Sequence, residues 1–294
     1  MLALPTQLLG ILSALTSAAS WGGGDYAGGV ATRRNHAFFV LLITSSTGLI
    51  LLTALTLLFG EHLPNRSDVF WAISAGIFGG IGLITLFRGL AVGAAAIVSP
   101  VAGVVGAAVP VIAGAVLEGF PAPEKFAGFL LGFAGIWMVT RPSNDSAAEA
   151  AQPEREAEGL LSQPLALAFI AGIGFGLFFV LIAQVSEGAA FAPLALSKAT
   201  QAVGGLLLVL LLRIRLADRG GVVPAVVSGV LDVGGNVFFL FASKLARLDV
   251  AAVLSSMYPV GTVLLSRALL KEQISRSQWL GVALCMGAIA LIAV

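Results

Sequence analysis

Charge is scarce in this sequence. Asp, Glu, Lys and Arg make up 11% of its 294 residues, against about 25% in soluble domains. So few charges cannot cover a surface that faces water. The single cysteine, Cys285, excludes an internal disulfide and a cysteine-cluster metal site. The two histidines, His36 and His62, fall at a span boundary and in a loop, so neither is placed to ligate a metal or relay protons inside a membrane. A net charge of +1 offers no footprint for nucleic acid. No phosphate-binding Gly-Lys motif is present, which argues against ATP-driven pumping by this chain, and no cofactor is expected.

What is abundant is apolar. Hydrophobic residues make up 58% of the chain and the mean hydropathy is +1.01. A transmembrane helix needs roughly 17–25 mostly apolar residues. Spans are expected at Gln7–Ala31, His36–Phe59, Val69–Phe87, Ala94–Leu117, Ala122–Thr140, Pro164–Ser186, Ala192–Leu212, Val222–Ser243, Val250–Leu269 and Ser277–Val294. The N-terminal run lacks a basic lead and outruns a signal-peptide core, so it reads as the first span. The expectation is an all-α integral membrane protein with ten transmembrane helices, in a plasma or inner cell membrane.

The acidic, Ala/Glu/Pro-rich stretch PSNDSAAEAAQPEREAEGLLSQ, Pro142–Gln163, reads as a flexible linker. It divides the chain into five-span units, 1–141 and 164–294. The units resemble each other: FRGLAVGAAAIVSP leads into span four and FASKLARLDVAAVLSSMYP into span nine. Glu118 and Glu272 close those spans 272 − 118 = 154 positions apart, and Ala91 and Ala246 lie 246 − 91 = 155 apart. This favours duplication. Five is odd, so the second unit must enter from the opposite side, giving two inverted five-helix repeats with a binding site between them near the midplane.

Paired units of this kind, with prolines in spans four and nine and Leu-Glu or Leu-Lys-Glu after them, resemble the EamA-type branch of the drug/metabolite transporter superfamily. The segments SWGGGDYAGG, VLSSMYPVGTVLLSRALLKE and LLKEQISRSQWLGVAL carry the resemblance, and LEGFPAPEKFAGFLL matches it in part. It implies ten helices and transport of small metabolites. It does not indicate which metabolite.

Loop charge sets orientation. One face carries Arg33, Arg34, Arg88, Arg141, Arg155, Arg213, Arg215, Arg219, Arg267, Lys271 and Arg276. The other carries Arg66, Lys125, Lys198, Lys244 and Arg247. The count places both termini outside the cytoplasm.

Candidate site residues are polar groups inside spans. Asp232 lies about 15 Å from either end of its span at 1.5 Å per residue. An ionised Asp there costs about 2.5–3.5 kcal/mol on insertion scales. Ser228, Asn236 and Ser243 share its helix face. It reads either as a proton carrier or partner for a substrate amine or hydroxyl, or as a hydrogen-bonding clamp between helices. Asp25 shares a face with Trp21 and Ser17 beside Gly22, Gly23 and Gly24. It either lines the substrate site or pairs with Arg33 near the headgroups. Ser255, Tyr258, Thr262 and Ser266 form a polar stripe, with Ser256 bordering it and Pro259 expected to free the Ser255 carbonyl. Pro100 and Pro110 either free carbonyls or only bend span four. Glu118, Glu272, Arg88 and Lys244 read as interfacial or gating charges, and Lys198 as a snorkelling lysine. Gly76/Gly80, Gly128/Gly132 and Gly172/Gly176 have the spacing of close helix packing.

The expected partners are a small-molecule substrate, surrounding lipid and a candidate coupling proton. The expected function is secondary transport. The alternatives are a membrane-embedded enzyme, disfavoured because the acids are scattered and no nucleophile motif is present, and a receptor, which usually brings a soluble domain.

Overall fold

The computed structural model describes residues 6–118, 123–139, 163–186, 190–245, 254, 255 and 257–293. Among these residues there are ten α-helices and no strand: α1 Thr6–Arg34, α2 Ala37–Leu58, α3 Arg66–Ala91, α4 Ala95–Glu118, α5 Pro123–Val139, α6 Pro164–Ile182, α7 Phe191–Leu211, α8 Val222–Leu245, α9 Tyr258–Leu270 and α10 Arg276–Ala293. A 3-10 turn, Arg219–Gly221, precedes α8. By length and composition α2, α3, α6, α7 and the stretch Arg219–Ala242 are each able to cross a membrane. Their outer faces fit lipid: Leu57, Leu58 and Leu211 are 76–78% exposed. Helices suit this setting because each satisfies its own backbone donors and acceptors.

The helix ends follow local chemistry. Asn65 and Asp68 form a reciprocal capping box at the start of α3, and Pro164 opens α6 where its missing donor costs nothing. Gly60 at φ 63° ends α2, and Arg213 at φ 51° ends α7. Within the expected ninth span Leu254 and Ser255 are helical, Met257 is in a turn and α9 begins at Tyr258, so Pro259 sits in the first turn of α9. Pro100 and Pro110 do lie inside α4. Of the linker, only Gln163 lies within the described residues.

Helices pack mainly against helices of the other half. The principal pairings come in sets related by exchanging α1–α5 with α6–α10. Thus α1 lies on α8 and α3 on α6; α1 lies on α9 and α4 on α6; α2 lies on α8 and α3 on α7. Each of α2, α4 and α5 also meets its own counterpart, α7, α9 and α10. Among the described residues the α1–α3 and α4–α10 contacts have no equally close α6–α8 and α5–α9 partners. Two groups result, α1/α8/α9 and α3/α4/α6. Gly172 and Gly176 let α6 approach α4 at Ala102, Val105 and Val109.

Polar staples tie the connections together. Glu61, after α2, accepts the amides of Ala190, Phe191 and Ala192 at the start of α7. Asp68 accepts the Ser186 amide and hydroxyl, both at 3.0 Å. Elsewhere Asn35, after α1, accepts the amides of Ala217 and Asp218, and Arg34 pairs with Asp218 at 3.6 Å.

Candidate functional site

The glycine run of α1 builds the site by what it omits. A Cβ on Gly22 would lie 2.6 Å from the Tyr258 carbonyl oxygen and 3.1 Å from Gly261 Cα. One on Gly24 would lie 3.3 Å from the Ser228 carbonyl oxygen and 3.5 Å from the Asp232 amide nitrogen. Glycine at both positions therefore lets α9 and α8 close on α1. On α8, Gly235 makes room for the Trp21 ring. Hydroxyls then fasten the three backbones: Ser17 Oγ donates to the Gly235 carbonyl at 2.8 Å, Thr262 Oγ1 to Gly22 at 3.2 Å and Ser255 Oγ to Ala14 at 3.3 Å. Such bonds hold helices together where water is absent.

This packing gathers the charges. Lys198 Nζ, from α7, lies 2.8 Å from Asp232 Oδ2. The Lys198 side chain is 8% exposed and that of Asp232 22%. The contact is an ion pair by distance, but its angles are poor, and Asp232 Oδ2 has no aligned hydrogen bond. Asp25, on α1, lies within electrostatic range of Asp232, Lys198 and Tyr258. Gln201 Oε1, one turn from Lys198, lies 3.4 Å from Nζ and accepts the Ser45 hydroxyl at 3.1 Å. Lys198 is thus paired with Asp232 and bordered by Gln201.

An aromatic wall borders the acids. Trp21, one turn before Asp25, lies 6.0 Å from the Phe239 ring and 6.4 Å, edge on, from Tyr258. The Tyr258 hydroxyl reaches towards Gly103 of α4.

The expected site residues separate into two roles. Asp232, Asp25, Trp21 and Tyr258 come together. Asn236 Nδ2 donates to the Asp232 backbone carbonyl at 2.7 Å, inside its own helix. Ser228 is buried and presents its backbone to Gly24. Ser255 is occupied in fastening α1. Ser256 and the Ser243 side chain lie outside the described residues. Lys198 does not snorkel: it is buried and turned inward, because Asp232 supplies the charge its ammonium would otherwise seek in water. It was the missed member, with Gln201 and Ser45. The available signal was that an intramembrane carboxylate calls for a counter-charge, and Lys198 stands about two turns inside span seven.

The exchange-related interface is different. At the 154-residue offset Asp232 corresponds to 232 − 154 = 78 and Asp25 to 25 + 154 = 179, both phenylalanine. There α3 and α6 pack through Gly79, Gly82 and Gly174 against Phe78, Phe175 and Phe178. The polar cluster therefore occupies only one side. No set of three metal-ligating side chains occurs among the described residues.

The sequence profile of the EamA-like transporter family matches residues 8–141 and again 163–294. No curated protein matches the chain. A solved structure titled only "Crystal structure of protein" aligns over 97% of this chain and 96% of its own with a TM-score of 0.61 at 19% identity, a likeness of fold.

Proposed function

The chain belongs to the EamA-like transporter family, and from that membership we propose that it is a secondary transporter moving a small solute across a cell membrane by alternating access. The family is one of membrane transporters, and the apolar helices make this a multi-pass membrane protein. The observation that carries the finer reading is the ion pair of the buried Lys198 with the partly buried Asp232, beside Asp25 of the other half of the chain. Charges inside an apolar bundle are costly, and those that are kept are functional candidates by default. Inverted repeats across ten spans are supported by the exchange-related helix pairings. Because the halves interleave, the bodies that rock are α1/α8/α9 against α3/α4/α6, rather than residues 1–141 against 164–294. The two carboxylates are the proposed carriers of a coupling proton.

The test is uptake into proteoliposomes of a panel of amino acids, purines, sugars and cationic drugs, with and without a pH gradient. Asp232→Asn keeps size and hydrogen bonding but removes ionisation. It is expected to insert and fold yet lose pH-dependent transport. Wild-type behaviour of this variant across a pH series would reduce Asp232 to a structural role.

A further inference from the structure

We propose that the substrates are organic monocations with a flat apolar body, and that Lys198 is their built-in competitor, released when they bind. The inference rests on the transport reading and narrows it to a substrate class.

The first argument is charge. Asp232 is held by the Lys198 ammonium, and Asp25 of α1 lies within electrostatic range of both. An anion entering would meet two carboxyl groups. A monocation taking the place of Lys198 leaves Asp232 neutralised.

The second argument is position. Lys198 Nζ already occupies the place an ammonium would take, 2.8 Å from Asp232 Oδ2. The poor angles of that contact leave the oxygen without an aligned hydrogen bond, and the Asp232 side chain keeps more exposed surface than its partner's. Gln201 Oε1, 3.4 Å from Nζ, is an acceptor that can keep the lysine once Asp232 is taken.

The third argument is the wall. Trp21 lies one turn from Asp25 and is flanked by Phe239 and Tyr258. Aromatic faces attract cations and accept a flat apolar ring beside them.

Release of the lysine would also loosen the bundle. Lys198 sits on α7, which packs on α3: Gly76 of α3 meets Ser197 and Thr200, and Gly80 meets Gln201. Asp232 sits on α8. The ion pair therefore ties α8 to α7, which packs on α2 as well as on α3. A bound cation severs that tie.

The test uses the purified full chain in lipid nanodiscs with radiolabelled phenethylamine, phenylalanine and phenylacetate, which share a ring and differ in charge. Phenethylamine is expected to bind and phenylacetate not. If Lys198 fills the site nine-tenths of the time, Lys198→Met should bind phenethylamine about tenfold more tightly, while counterflow in proteoliposomes slows. Asp232→Asn should lose phenethylamine binding. Lys198→Gln serves the same purpose should the Met variant fail to fold. Phenylacetate or phenylalanine binding ahead of phenethylamine would overturn the substrate class and leave the transport reading standing. Unchanged or weaker binding in both Lys198 variants would overturn the competitor role. Tight phenethylamine binding without flux of any panel solute would instead sink the transport reading.

Discussion

Glu272 lies in the connection after α9, and its carboxyl ends at the start of α4. Oε1 accepts the Ala95 amide at 2.8 Å, while Oε2 has no hydrogen-bond partner. Burial pushes its pKa up to about 7, against the pull of the Ala95 amide and the Arg33 guanidinium. Between the ordinary value of 4.5 and about 7 the folded protein therefore holds a proton that the unfolded chain has lost. That contribution to stability is full below the unfolded value and is lost as pH rises through about 7. His36 works in the opposite sense, since burial and then Arg88 lower its pKa. The difference between wild type and Glu272→Gln isolates the carboxyl. In detergent the wild-type thermal midpoint is expected to fall relative to the variant between pH 5.5 and 8; parallel curves would mean that Glu272 does not titrate there. Side chains of this kind differ in how legible they are. Asp25 and Asp232 stand out as acids in apolar runs. Lys198 does not, since a long side chain about two turns inside a span can reach either water or a buried partner, and only the fold decides.

The placement of helices depends on small residues more than on polar ones. Gly22 faces backbone atoms of α9, which cannot swing aside as a side chain can. Gly22→Ala is expected to force α1 from α9 and destabilise the protein by about 1–3 kcal/mol, the usual range for overpacking. Gly204 of α7 has open space around it. Gly204→Ala is expected to be neutral or stabilising by up to about 1 kcal/mol through helix propensity. Thermal unfolding of the two variants checks the contrast, and equal effects would show that the α1–α9 approach is not tight. Helix positions were readable because twenty apolar residues have few other uses in a chain this poor in charge. The partners of each helix were not, because the glycine spacing at Gly172/Gly176 announces close packing without saying against what. Pro259 was legible: a proline in an apolar run suggests a broken helix, and here the helical Leu254 and Ser255 are followed by a turn at Met257 before α9 begins at Tyr258.

Duplication makes a claim about the whole molecule that helix pairings support but do not orient in a membrane. His62, in the connection after α2, and Leu216, in the connection after α7, are equivalent at the repeat offset, since 216 − 62 = 154. Both are exposed. In a direct repeat, equivalent connections would lie on the same side of the bilayer; in an inverted repeat of five spans they lie on opposite sides. The native Cys285 is buried, so background labelling should be low. With both termini outside, as the Lys/Arg count requires, His62→Cys should react with a membrane-impermeant maleimide added to intact cells. Leu216→Cys should react only after permeabilisation, since its connection carries Arg213, Arg215 and Arg219. The mirrored result, Leu216→Cys labelled from outside and His62→Cys protected, would keep the inversion and reverse the orientation. Labelling of both from one side would rule out the inverted repeat, and with it an alternating-access mechanism built on exchange of equivalent helix groups.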